Sequence, residues 1–215
     1  MPLRLYFHPL SSFSQKVLIA LYENETPFER EILAANDASS IAALKKIWPI
    51  GKFPLLRDET RDWTVPETSI IIEYLAQHYP GPVELVPQDP ELARQMRLRD
   101  RFFDLYVNVP MQKIFTDRLR PAGKKDDYGV GQAKEALAVA WGVIDGAMSA
   151  KTWAMGDRFT MADCAAAPAL NYAHMAVPFG DTYAHASAYL ARLKARPSVA
   201  RVLKEAEPYF SLLPK

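Results

Sequence analysis

Apolar and polar positions follow two rhythms along this chain. Over the first eighty residues the apolar runs are short. Leu3 to Phe7 and Phe28 to Ile32 read as strands, and Pro54 to Arg57 with Trp63 to Val65 read as a hairpin around Asp58-Glu59-Thr60-Arg61-Asp62. Helical stretches separate them. Phe13, Val17 and Leu21 recur every fourth residue after a serine cluster able to cap a helix, and a variable helix is expected from about Ser39 to Ile47. Another helix starts near Thr68, with Ile70, Ile71, Tyr74, Leu75 and His78 as its apolar stripe. Beyond Asp89 the period is helical throughout, at about 89–118, 130–149, 161–176, 185–195 and 198–206.

The predicted order of the first part is β-α-β-α-β-β-α. A crossover unit supplies parallel strands and a closing hairpin adds antiparallel ones, which is a thioredoxin-like layout. The fold class is therefore α/β plus all-α. Residues 1–80 form the first domain, residues 81–88 a linker marked by Pro80, Pro82, Pro87 and Pro90, and residues 89–215 an all-helical bundle.

Composition narrows the function. The 215 residues are 49% hydrophobic, ample for a buried core, and Lys+Arg 26 nearly cancels Asp+Glu 25 without a dense basic cluster. Nucleic acid and anionic membranes are therefore not expected partners. A single cysteine, Cys164, rules out an intrachain disulfide and a cysteine-based zinc cluster, and it suits a reducing cytoplasm. The opening residues lack the features of a signal peptide, and no apolar run reaches the length of a membrane span. His8, His78, His174 and His185 have no metal-ligand spacing and there is no glycine-rich phosphate loop, so neither metal nor nucleotide is expected.

Four segments carry the chemistry. They are Leu5-Tyr-Phe-His-Pro-Leu-Ser11-Ser12-Phe13-Ser14-Gln-Lys-Val17, Gly51-Lys52-Phe53-Pro54-Leu, Pro66-Glu67-Thr68 ahead of Glu73-Tyr74-Leu75, and Gly156-Asp-Arg-Phe159-Thr160-Met-Ala-Asp163. Each is common alone, but in this order and spacing the chain resembles the cytosolic glutathione transferases, in particular the serine-type branch that includes theta, zeta and phi-like members. The resemblance covers nearly the whole chain.

It implies a glutathione transferase in which Ser11 activates the thiol, with glutathione as cosubstrate and an apolar small molecule as electrophile. Ser11 lies between a strand and a helix start, where unpaired N–H groups and the helix dipole favour an anion. Lowering a thiol from about 8.5 to about 6.5 needs roughly 2.7 kcal/mol. A hydroxyl bond to a charged acceptor contributes roughly 1.5 to 3 kcal/mol, against roughly 0.3 to 1 kcal/mol from the helix terminus. The spacing to Val17 in the family favours Ser11. Ser12 is the second choice, Ser14 reads as structural, and Tyr6 is a competitor because other branches use a tyrosine near the end of the first strand.

The resemblance also implies a cis bond before Pro54, with the Phe53 backbone N–H and C=O against the cysteinyl part of glutathione. Thr68 and Glu67 would meet its γ-glutamyl group and Lys52 its glycine carboxylate, with Asn36 or a residue of the second helix sharing that task. Phe103, Tyr106, Val107, Pro110 and Met111 are the candidate electrophile wall, taken as a group, since such a stripe is also how plain core reads. Thr160 to Asp163 has capping-box spacing, with Phe159 as its staple. Phe13 stands where some relatives carry cysteine, which removes mixed-disulfide exchange at this position. A homodimer is implied. Two alternatives remain: a glutathione-dependent cis-trans isomerase, which Phe13 and Gln15 disfavour, and a non-catalytic scaffold of the same fold.

Overall fold

The computed structural model describes residues 2–34 and 38–214. Its first part runs β1 (Leu3–Phe7), α1 (Ser12–Glu23), β2 (Glu29–Ile32), α2 (Ala38–Ile47), β3 (Leu55–Asp58), β4 (Trp63–Pro66) and α3 (Thr68–His78). The strands form one mixed sheet in the order β2-β1-β3-β4. β1 is parallel to β2 and antiparallel to β3, and β3 is antiparallel to β4.

Side chains alternate across a strand, so Leu3, Leu5 and Phe7 of β1 enter the main core with Val17, Leu18 and Leu21 of α1 and Ile71, Ile72 and Leu75 of α3. Tyr6 points to the other face and packs on a smaller cluster of Leu33, Leu44 and Leu55. The buried side of α3 differs from the expected stripe: Ile72 is inside, whereas Ile70 is 53% exposed. Two of three consecutive isoleucines can face one core on a 100° helical step, and the third cannot.

The second part is helical: α4 (Pro90–Phe102), a π-helical turn (Phe103–Asn108), α5 (Val109–Arg118), α6 (Asp127–Met148), α7 (Met161–Ala176), α8 (Ala184–Ala195) and α9 (Pro197–Ala206), with a closing 3₁₀ turn over Glu207–Leu212. The sequence predicts one unbroken helix over 89–118. Instead, Pro110 brings no N–H, and the N–H of Val109 reaches back five residues to the Asp104 carbonyl, which widens the turn. α6 begins earlier than its periodicity suggests because Asp126 caps it at the Gly129 N–H (2.9 Å), and the weak helix formers Gly129 and Gly131 hide that start.

α7 is the central helix, with a nearly continuous buried run from Met161 to Leu170 against its neighbours. Ion pairs join the two parts. Glu23 at the end of α1 accepts two bonds from the Arg196 guanidinium (2.7 and 2.6 Å), and that guanidinium also lies 3.9 Å from the centre of the Phe159 ring.

Candidate functional site

The loop after β1 is built by His8. Its carbonyl accepts the Ser11 N–H (3.0 Å), its Nδ1 accepts the Leu10 N–H (3.2 Å), and its N–H donates to Ser14 Oγ (3.4 Å). An accepting Nδ1 makes the imidazole neutral in this arrangement, and burial holds its pKa below the ordinary 6.5. Gln15 steadies the loop from α1, donating from Nε2 to the Pro9 carbonyl (2.8 Å) and to the Tyr172 hydroxyl oxygen (3.0 Å). Tyr209 of the closing 3₁₀ turn stacks edge-on against His8, with ring centres 5.2 Å apart.

The three serines at the head of α1 are held differently. Ser14 is fully buried. Ser12 is buried and donates its hydroxyl hydrogen to Asn108 Oδ1 (3.0 Å). Ser11 is half-buried and caps α1 by accepting the Ser14 N–H at 3.3 Å, and no acceptor among the described residues takes its own hydrogen. A hydroxyl that accepts one bond and keeps its donor open can both cap a helix and hold a thiolate.

Beside this helix start is a cavity of about 140 Å³ lined by Phe13, Trp48, Lys52, Phe53, Pro54, Pro66, Glu67 and Thr68. Gly51 leads into it at φ +68°, and a Cβ there would meet the Lys45 side chain at 2.8 Å. Lys52 is exposed, and the Phe53–Pro54 bond is cis. Among the described residues no backbone hydrogen bond engages the N–H or C=O of Phe53.

Across the cavity, Glu67 precedes α3 at φ +68°, a region costly for a residue with a Cβ. Its side chain caps nothing, and among the described residues no side chain accepts from the first-turn N–H groups of α3. Thr68 is nearly buried and lines the cavity. The start of α3, a lysine and an open backbone segment thus converge on one small cavity of mixed polar and apolar lining, with Phe13 of α1 at its edge; Ser11 is two residues from Phe13 and is not itself a lining residue. The α3 start and the lysine suit a ligand with carboxylates. Asn36 lies outside the described residues.

The candidate electrophile wall does not hold together. Phe103, Val107 and Met111 are core residues, whereas Tyr106 (59% exposed) and Pro110 line a separate groove between α4 and α6 with Leu105, Val139 and Val143. The wide π turn and the helical step divide the stripe between two faces. None of the five lines the cavity beside Ser11. Tyr6, packed on the small cluster, is a strand aromatic.

Trp48, Asn108, Tyr172 and Tyr209 carry no local motif in the sequence. Each reaches the site through tertiary contacts between residues far apart in the chain. Asp163 is completely buried and accepts from the N–H of Thr160 (2.9 Å), the N–H of Ala154 (2.8 Å) and the Tyr189 hydroxyl (2.6 Å), which makes the Thr160 helix start a folding device. Cys164 is also fully buried, and burial pushes its thiol up.

Comparison with known proteins matches this geometry. The family model for the N-terminal domain of glutathione S-transferases matches residues 5–83, and that for their C-terminal domain matches residues 105–197. The chain is 29% identical over 218 residues to FtsZ-localized protein A of Caulobacter vibrioides, covering 95% of this chain and 92% of that one. It is 28% identical over 216 residues to glutathione S-transferase F7 of Arabidopsis thaliana, covering 94% and 99%. A glutathione S-transferase of Methylobacterium radiotolerans, solved in complex with glutathione sulfonate, superposes with a TM-score of 0.81 at 26% identity, covering 93% of each chain. With a thioredoxin-like first domain, a helical second domain and both family models matched in order, the chain belongs to the glutathione S-transferase family.

Proposed function

We propose that the protein is a glutathione transferase that binds glutathione in the cavity between α1 and α3, and that Ser11 stabilises its thiolate for attack on an apolar electrophile. The observation that carries this reading is the state of Ser11: of the three loop serines it is the half-exposed one, and its hydroxyl hydrogen is open. The Phe53 backbone would pair with the cysteinyl unit as an added strand does. Thr68 and the first-turn N–H groups of α3 would hold the γ-glutamyl carboxylate, Glu67 its ammonium group and Lys52 the glycine carboxylate.

The reaction is a displacement, in which the thiolate sulfur forms the new bond to carbon as the leaving group departs with its bonding pair, or an addition, in which the π pair of an activated double bond moves to its electron-withdrawing group and is protonated by solvent. The thiol proton leaves to solvent, and Ser11 donates a hydrogen bond to the sulfur without itself being consumed. Phe13 and Trp48, two of the apolar residues that line the cavity, are the wall on which such an electrophile would rest. The protein would act in the cytoplasm as a homodimer. The apolar residues Leu98, Leu105, Val139 and Val143, all exposed on α4, α6 and the π turn, offer the face for a second copy.

A second reading is favoured by the relative named for its localisation with FtsZ, which matches along nearly its whole length. In that reading the protein is a binding partner and not a catalyst. Titration of glutathione into the wild-type protein by calorimetry separates the two. Micromolar to millimolar binding, weakened by Thr68→Val and Lys52→Ala, is expected of the transferase; absence of any heat under the same conditions overturns it in favour of the binding partner.

A further inference from the structure

α1 presents two buried polar groups one turn apart, Ser12 and Lys16, and both are met by the second domain. Ser12 Oγ donates to Asn108 Oδ1 at 3.0 Å. Lys16 Nζ lies 2.6 Å from Asp100 Oδ1 and 2.9 Å from Asp104 Oδ2. Asp100, Asp104 and Asn108 recur every fourth residue, from the last turn of α4 through the π turn. Ser69, next to Thr68, joins the same network: it accepts from Lys16 Nζ at 3.0 Å and donates to Asp100 Oδ2 at 2.6 Å. The starts of α1 and α3, which flank the proposed glutathione site, are therefore both tied to one polar strip of the second domain.

This strip is buried. The Lys16 and Asp100 side chains are 1% exposed and Asp104 is 6% exposed. Burial pushes Asp104 up, Lys16 opposes that, and the neighbouring Asp100 adds to it. Apolar residues of similar volume hold helices together at least as well as a buried ionic network, so such a strip is better suited to fixing geometry than to adding stability. Here it fixes the first turn of α1. The Ser11 cap bond is long, at 3.3 Å, so the orientation of that turn depends on its neighbours, and Ser12 is the next residue.

We infer that Asn108 is a positioning residue for thiol activation. By accepting the Ser12 hydroxyl hydrogen it locks the first turn of α1 and aims the Ser11 hydroxyl at the cavity. This inference rests on the transferase reading. Its signature is a change in the acidity of bound glutathione with little change in affinity, because Asn108 is not among the residues that line the cavity.

The test uses the full-length protein and glutathione itself, following thiolate absorbance against pH and binding by calorimetry. For Asn108→Leu the bound-thiol pKa is expected to rise, cutting the thiolate fraction at neutral pH several-fold, while the dissociation constant measured at a pH below the bound-thiol pKa, where the thiol is protonated in both proteins, stays within about twofold. Asn108→Gln, which keeps an amide acceptor, should recover most of the shift. In a Ser11→Ala background Asn108→Leu should change nothing further, since the two residues act as one unit. Ser12→Ala removes the same bond at almost no change in volume and should reproduce the effect if the leucine variant fails to fold.

An unshifted thiol in a folded Asn108→Leu or Ser12→Ala protein overturns the inference, as does a shift that adds to that of Ser11→Ala. If the wild type itself leaves the bound thiol at its ordinary acidity, the transferase reading falls and takes the inference with it. That outcome is told apart by appearing before any substitution is made.

Discussion

The helix starts at Ser11 and Thr160 look alike in sequence: a hydroxyl residue precedes an apolar helix, and each sits inside a family motif. In the fold they are opposites. At Thr160 the polar atoms face one another in the core, with Asp163 accepting from the N–H and the hydroxyl of Thr160, from Ala154 and from Tyr189. At Ser11 the cap bond is long, the residue is half-exposed and the hydroxyl hydrogen is uncommitted. α3 goes further, with Glu67 at positive φ and no side-chain cap at all. What separates the folding cap at Thr160 from the helix starts proposed to bind ligand is thus how much hydrogen-bonding capacity the fold leaves unused.

The comparison breaks most easily at Asp163. Asp163→Ala strands two N–H groups and the Tyr189 hydroxyl in the core, and should lower stability by at least about 3 kcal/mol in denaturant unfolding. Glutathione acidity in the fraction that stays folded should not change. Glu67→Gly should act in the opposite sense: relief of the positive φ raises stability by about 1 kcal/mol while glutathione affinity falls, the pattern expected of strain held at a binding site. A loss of stability there would deny the strain. Ser11→Ala should lower stability by only about 0.5 to 1 kcal/mol, as for a partly exposed cap; a loss approaching that of Asp163→Ala would make the two starts equivalent after all.

The smallest effect is expected at His8. Burial lowers its pKa below 6.5, so the fold binds fewer protons there than the unfolded chain. The stability it contributes is complete above pH 6.5 and is lost as pH falls through the folded value. Protonation also removes the Nδ1 acceptor for Leu10, so wild-type stability should fall more steeply below pH 6.5 than that of His8→Asn. Equal pH dependence of stability in the two proteins would separate His8 from the loop.

Strand and helix periodicity was enough to read nearly every element, because local apolar spacing alone decides it. β1, the hairpin, α7 and α9 stand within a residue or two of where their patterns put them. The π turn escaped, since it follows from the missing N–H of Pro110 inside an otherwise regular pattern. The closing 3₁₀ turn also escaped, being short and packed by contacts from distant residues such as His8. Of the candidate site, the residues proposed to act through backbone or helix starts, Ser11, Phe53, Pro54, Glu67 and Thr68, each sit in a local motif that the sequence displays. How the stripe from Phe103 to Met111 divides was not legible, because a helix pattern gives spacing but not which neighbour each face meets; Phe103 met the core and Tyr106 met solvent.

The most direct test of the central claim is the acidity of glutathione bound to the wild-type protein and to Ser11→Ala, read as thiolate absorbance against pH. The account predicts that the wild type holds the thiol well below about 8.5 and that the alanine variant, still binding, returns it upward by about 1 to 2 units. Equal acidity in the two proteins would contradict it and leave Ser11 as a helix cap like Thr160.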